Sequence, residues 1–351
     1  MTPRSKEPQA EVRRIPLALF LGIGVALLAV VAVVSVSIGP LRIPFDQVWT
    51  IVGAGPQPDA ALGINPRDSS VVWSLRLPRV VMGVIVGAGL AISGAALQSL
   101  FNNPLADPGI VGVTGGCSAG AVAAIVLVDS ATTWTVPIGA FVAGLSVTLL
   151  IYALARPGRN HGTARMLLVG IAVGAACQAV VGFLTYTADE KQLQSLVFWQ
   201  MGSLGKVTWP QLGAVSPVFV LGVVLVVFLA KALDVLTLGE REAQHLGLDV
   251  RRARFLVIIV TALLTASAVA FAGAIGFIGL VVPHIVRFIV GPGHRALLPA
   301  SAVAGAVLIV AADAAARTIA PPAEVPIGLF TAAVGAPFFL FLVLREKRVV
   351  R

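Results

Sequence analysis

Apolar runs of about 20 residues, long enough to cross a hydrocarbon core of about 30 Å, recur along the chain between short polar stretches. Runs such as LALFLGIGVALLAVVAVVSV, beginning at Leu17, show no two-residue alternation, so they read as helices and not as barrel strands. The pattern predicts ten helical spans, at 16–38, 78–98, 109–128, 134–155, 164–186, 212–231, 254–272, 275–290, 296–316 and 328–345. The eighth is short and rich in glycine, which leaves nine or eleven spans as the alternatives. The expected fold class is all-α, a polytopic integral membrane protein with short tails at 1–15 and 346–351.

Three connections are long enough to carry structure of their own. Segment 39–77 is rich in Pro, Gly and Asp. Segment 187–211 mixes charge with Phe198, Trp199 and Trp209, the signature of an aromatic belt or of a short helix lying on the membrane face. Segment 232–253 reads as two short helices broken at Gly239 or Gly247. Within the spans, Gly83, Gly87, Ala91 and Gly94 fall at a spacing that lets helices approach closely, and GAIGFIGL repeats the device on the eighth span.

Composition strengthens the membrane reading. Of 351 residues, 58% are hydrophobic and 12% charged, against about 25% charged in a soluble domain. The N-terminus pairs basic residues with an apolar run, as a signal peptide does. The run is too long for a signal core and lacks a small-residue cleavage site, so it reads as a retained first span. The formal charge of +9 bears on topology and does not point to nucleic acid. With the N-terminus inside, 18 of the 25 Lys and Arg fall on inside segments: Arg4, Lys6, Arg13, Arg14, Arg156, Arg159, Arg165, Lys231, Arg241, Arg251, Arg252, Arg254, Arg287, Arg295, Arg345, Lys347, Arg348 and Arg351. Arg42, Arg67, Arg76, Arg79, Lys191, Lys206 and Arg317 fall outside. Both termini are therefore expected in the cytoplasm.

No catalytic constellation emerges. His161, His245, His284 and His294 are scattered with no metal-ligand spacing, Cys117 and Cys177 sit apart in apolar stretches, and no phosphate-binding loop is present. Any ATP hydrolysis must come from a second polypeptide. Asp313, inside the ninth span, stands one helical turn from Arg317 and reads as half of an ion pair. Arg287, after Pro283 and His284, reads as a snorkelling side chain. A carrier driven by an ion gradient, the rival class, needs several buried carboxylates where this chain shows essentially one.

The stretch LQSLFNNPLADPGIVGVTGGCSAGA concentrates Asn102, Asn103, Pro104, Asp107, Pro108 and Gly109 between the second and third spans, more turn-formers than a plain turn needs. From RLPRVV at 76 through NNPLADPG to 121, the chain resembles the iron-siderophore, haem and cobalamin ABC importer permeases. LTLGEREAQHLGLDV at 236–250, GAIGFIGLVVPHIVRFIVGPGHRALLP at 273–299 and PAEVPIGLFTAAVGAPFF from Pro322 agree in the same order.

That resemblance implies a type II importer permease of the bacterial inner membrane. Two copies would surround a path on their two-fold axis, and two ATPase subunits carrying ATP and Mg would dock at the cytoplasmic face. A substrate-binding protein would dock outside, and the chain itself would bind no cofactor or metal. By the same resemblance, Gly239, Glu240, Arg241, Ala243, Leu246 and Gly247 would meet the ATPase. Arg76, Arg79 and Arg317 would meet the binding protein, and the Asn102–Gly109 group would lie along the path or its gate. YTADEKQLQSLVFWQMGSLGKVTW, from Tyr186, is similar to the haem-importing branch. Haem is the leading cargo, with ferric siderophore and cobalamin as the alternatives.

Overall fold

A computed structural model describes residues 14–56, 63–130, 132–155, 162–320 and 323–346. The tails expected at 1–15 and 346–351 therefore fall almost wholly outside the described residues, as do Arg156, Arg159 and His161.

Among the described residues every regular element is helical. In order, the helices are α1 (Leu17–Ser37), α2 (Phe45–Ala54), α3 (Pro66–Ser70), α4 (Leu77–Leu100), α5 (Val113–Leu127), α6 (Thr135–Ala155), α7 (Gly162–Thr187) and α8 (Glu190–Met201). They continue with α9 (Trp209–Phe228), α10 (Ala230–Leu236), α11 (Glu240–His245), α12 (Val250–Ala272), α13 (Ile278–Val290), α14 (His294–Ala316) and α15 (Ile327–Glu346). A π-helical turn, Val71–Arg76, joins α3 to α4. Seven helices are long and apolar enough to cross a membrane, and α5, α13 and α15 contribute shorter apolar segments. The ten expected spans are all present as helices. The long connections contain α2 and α3 in the first case, α8 in the second, and α10 and α11 in the third.

The core is built on α4, which is buried along nearly its whole length, with α12 and α14 against it. Small residues make this possible. A Cβ on Gly87 would collide with the backbone of Gly305 in α14, and one on Gly94 with the backbone of Gly279 in α13. Lipid tails are as apolar as leucine, so helices in a bilayer gain by close van der Waals packing of this kind. Peripheral helices show the converse. Leu19, Ile23 and Val30 of α1 and Leu168, Ile171 and Phe183 of α7 lie exposed, which is stable only against lipid or another apolar surface.

Helix α13, at 13 residues, is about 20 Å long, short of a full crossing of about 30 Å. The chain before it runs irregularly from Gly273 to Phe277, where φ reaches +68° at a bulky residue. Such backbone survives at membrane depth only where it is buried in protein or lines a water-filled cavity. Pro283 cannot donate to the Gly279 carbonyl one turn back, and Gln98 of α4 supplies the missing donor, 3.2 Å from Gly279 O and 3.1 Å from Leu280 O.

Two ends of the bundle can be distinguished by contact. The N-terminal end holds Ile15, whose N–H donates to Ile289 O at 3.1 Å, the end of α4, the α10–α11 segment and the start of α14. The opposite end holds the α2–α3 region, α8, and the chain after α14, joined by Ser203 N–H to Ala272 O at 2.8 Å and Ile327 N–H to Gly202 O at 3.0 Å.

Candidate functional site

At the N-terminal end, the segment between α9 and α12 forms a compact projection. Both expected break points are used. Gly239 has φ +109° and Gly247 φ +83°, values that favour glycine. Helix α11 closes in a Schellman motif, with Leu248 N–H donating to Ala243 O and Gly247 N–H to Gln244 O, each at 3.0 Å. Asp249 then caps α12, accepting from Arg252 N–H at 3.1 Å. The result is a short, folded element rather than a loose loop.

Of the residues expected to meet an ATPase here, Arg241, Gly247 and Leu246 (64% exposed) face outward. Gly239 and Glu240 are half-buried. Ala243 is fully buried and packs into the core, so it anchors the element and presents nothing to a partner. Leu238 is a further outward apolar side chain.

Two polar attachments hold this element to the bundle. The Glu240 carboxylate pairs with the buried guanidinium of Arg254 on α12. Asp234, on α10, places Oδ1 2.9 Å from the backbone N–H of His294 and 2.6 Å from its Nδ1, while Nε2 of the same ring lies 2.5 Å from Ser99 Oγ on α4. His294 is 1% exposed. A carboxylate only accepts, so Nδ1 carries a proton toward Asp234.

The turn after α4 lies at the same end. Asn103 Oδ1 accepts from Leu105 N–H at 2.9 Å and Asp107 Oδ1 from Gly109 N–H at 2.8 Å, two side-chain turns in series. Burial pushes the Asp107 carboxyl above its usual range, and the Gly109 N–H opposes that shift. Asn102 adopts φ +45°. Asn102, Asn103, Pro104 and Gly109 are exposed, Asp107 is half-buried, and Pro108 is buried near Gly279 of α13. The turn thus runs from the surface inward to the broken start of α13.

At the opposite end the structure turns the three expected docking arginines inward. Arg76, Arg79 and Arg317 are 3%, 6% and 2% exposed. Arg79 Nε lies 2.8 Å from Asp313 and its Nη1 2.8 Å from Glu324, and Arg317 Nε is 3.1 Å from Asp313. Arg76 donates to the carbonyls of Val36, Ser37 and Leu41, and Arg317 to Ser35 and Ile38. Buried guanidiniums must be satisfied within the protein, and these are, by the end of α1 and by two carboxylates. A partner's carboxylate reaches them only in competition with those groups. The expected Asp313–Arg317 pair is present. Arg79 and Glu324 as its further members, and Asp234, His294 and Ser99 at the other end, carry no spacing signal because each contact joins distant parts of the chain. Among the described residues no three His, Cys, Asp or Glu cluster as a metal site would.

A model of the FecCD transport family matches residues 27–345. The chain belongs to the FecCD transport family. These are the iron-siderophore, haem and cobalamin ABC importer permeases that the sequence resembles, membrane proteins that are not themselves ATPases. The FecCD chain is 40% identical over 343 residues to the hemin transport system permease protein HmuU of Yersinia pestis, covering 95% of this chain and 98% of that one. It is 45% identical over 287 residues to the cobalamin import system permease protein BtuC of Halobacterium salinarum, covering 82% and 76%. Its fold superposes with a TM-score of 0.81, at 34% identity, on a metal-chelate type ABC transporter solved in an inward-facing conformation, covering 93% of this FecCD chain and 99% of the other.

Proposed function

We propose that this chain is the permease subunit of a haem importer, working as a homodimer with two ATPase subunits that carry ATP and Mg, and with an extracytoplasmic binding protein. The observation that carries the haem reading is the match to the hemin permease, which extends over 98% of that protein, whereas the matches to cobalamin permeases extend over 76% to 87% of theirs. Cobalamin is the second reading, favoured by the higher identity within the shorter stretch matched to the H. salinarum permease. Ferric siderophore rests on the family resemblance alone.

In this reading the α10–α11 element faces the cytoplasm, as the Lys and Arg distribution favours. Arg241, Leu246 and Leu238 supply its outward surface to the ATPase, and Glu240–Arg254 keeps it fixed to α12. The turn from Asn102 to Gly109, beside the broken start of α13, lies along the path where backbone must move. At the outer face the arginine network orders the loops that a binding protein meets, a role that its burial permits. An ion-driven carrier is less well supported, since Asp313, the one carboxylate expected inside a span, is committed to Arg79 and Arg317.

The test is ATP hydrolysis by the reconstituted complex, with the binding protein loaded in turn with haem, cobalamin or a ferric hydroxamate. Stimulation by haem above the other two supports the proposal. Stimulation by cobalamin alone overturns the haem assignment and leaves the importer class standing.

A further inference from the structure

The start of α14 has an unusual cap. Its N-cap residue is Gly293, which has no side chain to accept the free N–H groups of the first turn. Asp234 of α10 accepts the His294 N–H in its place, from a different helix. The same carboxylate oxygen also takes the His294 ring, and the ring reaches on to Ser99 near the end of α4. One carboxylate therefore joins the projecting element to α14 and, through the His294 ring, to α4, two helices that pack closely on each other.

Beyond that joint, α14 runs 23 residues, about 34 Å, to the opposite end. There its last turn carries Asp313 and, just after it, Arg317, which hold Arg79 and the carbonyls at the end of α1. Helix α4 is bound to α14 along the way by the backbone contact of Gly87 with Gly305. A helix gripped by charge-assisted hydrogen bonds at one end and by a buried ion network at the other moves as a unit, because packed interiors shift between discrete arrangements and do not stretch.

We propose that the Asp234–His294–Ser99 chain is the joint through which displacement of the α10–α11 element drives α14, and α4 with it, to reach the opposite end of the bundle. All three are positioning residues that touch neither nucleotide nor cargo. The inference rests on the reading of α10–α11 as the ATPase contact and adds the route by which its motion leaves it. Asp234 is suited to the task. It caps a helix terminus, where a negative charge is favoured, and it sits on the element that must move.

The test uses the full complex, permease with its ATPase and binding protein, in liposomes, with haem and cobalamin as probes. Uptake per ATP hydrolysed is measured for the native chain, Asp234→Ala, Asp234→Asn, His294→Ala and Ser99→Ala. For Asp234→Ala and His294→Ala, hydrolysis stays within about twofold while uptake per ATP falls about tenfold, the scale of losing one charge-assisted hydrogen bond. The Asp234→Ala/His294→Ala double variant is no worse than either single one, as expected of residues acting through one contact. Asp234→Asn keeps an acceptor in place and restores most of the coupling.

Uptake and hydrolysis falling in parallel with the amount of assembled complex would reveal a purely structural role and overturn the proposal. An asparagine variant as damaging as the alanine one would also overturn it. Should the alanine variants fail to assemble, Ser99→Ala decides: the joint predicts reduced uptake per ATP from this small change, and unaltered coupling refutes it. A native complex showing no ATP-dependent uptake of either probe would instead fail the importer reading itself.

Discussion

Asp313 is the residue on which the opposite end depends. Its carboxylate pairs directly with two buried guanidiniums, those of Arg79 and Arg317. Replacing it with asparagine keeps its size but leaves two cations without their shared anion. Breaking a buried pair in this way is expected to cost about 3–5 kcal/mol, read as a clear fall in the detergent-solubilised protein's unfolding temperature. Arg252→Ala, which removes an exposed partner of Asp249, is expected to change stability by no more than about 0.5 kcal/mol. Gln98→Leu is expected to cost about 1–3 kcal/mol by orphaning the Gly279 carbonyl that Pro283 leaves without a donor. Only part of this was legible in the sequence. Asp313 and Arg317 are one turn apart and could be paired from spacing. Arg79 lies 234 positions away from Asp313, and no local pattern links them. The three arginines read as surface docking groups because their charge was visible and their burial was not.

Among the elements, α4 and α14 form the frame, and their contact depends on the absence of side chains. Gly87→Leu would drive a side chain into the Gly305 backbone, and Gly94→Val into that of Gly279. Both are expected to abolish a monodisperse folded protein in size-exclusion chromatography. Gly22→Ala on α1, where a Cβ meets nothing within 4 Å, is expected to be neutral or slightly stabilising, by at most about 1 kcal/mol. The helices themselves were readable from hydropathy, since a spanning run must be long and apolar. The small-residue spacing on α4 was readable too, and its partners Gly305 and Gly279 emerge only from the fold. In the 232–253 segment, glycine punctuation offered Gly239 or Gly247 as the break. The chain uses both, because α11 is short enough to need a glycine at each end. Ala243 could not be assigned a direction from sequence: α11 is less than two turns long, too short for its buried face to show as a period.

For the whole molecule, the arrangement is a packed centre of α4, α12 and α14 with a folded projection at one end and a buried charge network at the other. The projection's outward surface is small and partly apolar. Leu246→Glu is therefore expected to weaken co-purification with the ATPase about tenfold or more, by placing a charge where an apolar contact forms, while leaving the permease's own unfolding temperature unchanged. Family membership and fold were both legible in the sequence, because long motifs carried them in order. Cargo was not, because a path that must release what it conducts offers few strong contacts to read. ATP-driven import is tested by haem accumulation in liposomes holding the permease, its ATPase and the binding protein, measured with and without ATP and under an imposed ion gradient. Accumulation is expected only when ATP is hydrolysed and the binding protein is present. Accumulation driven by the ion gradient, without the ATPase, would contradict ATP-driven import.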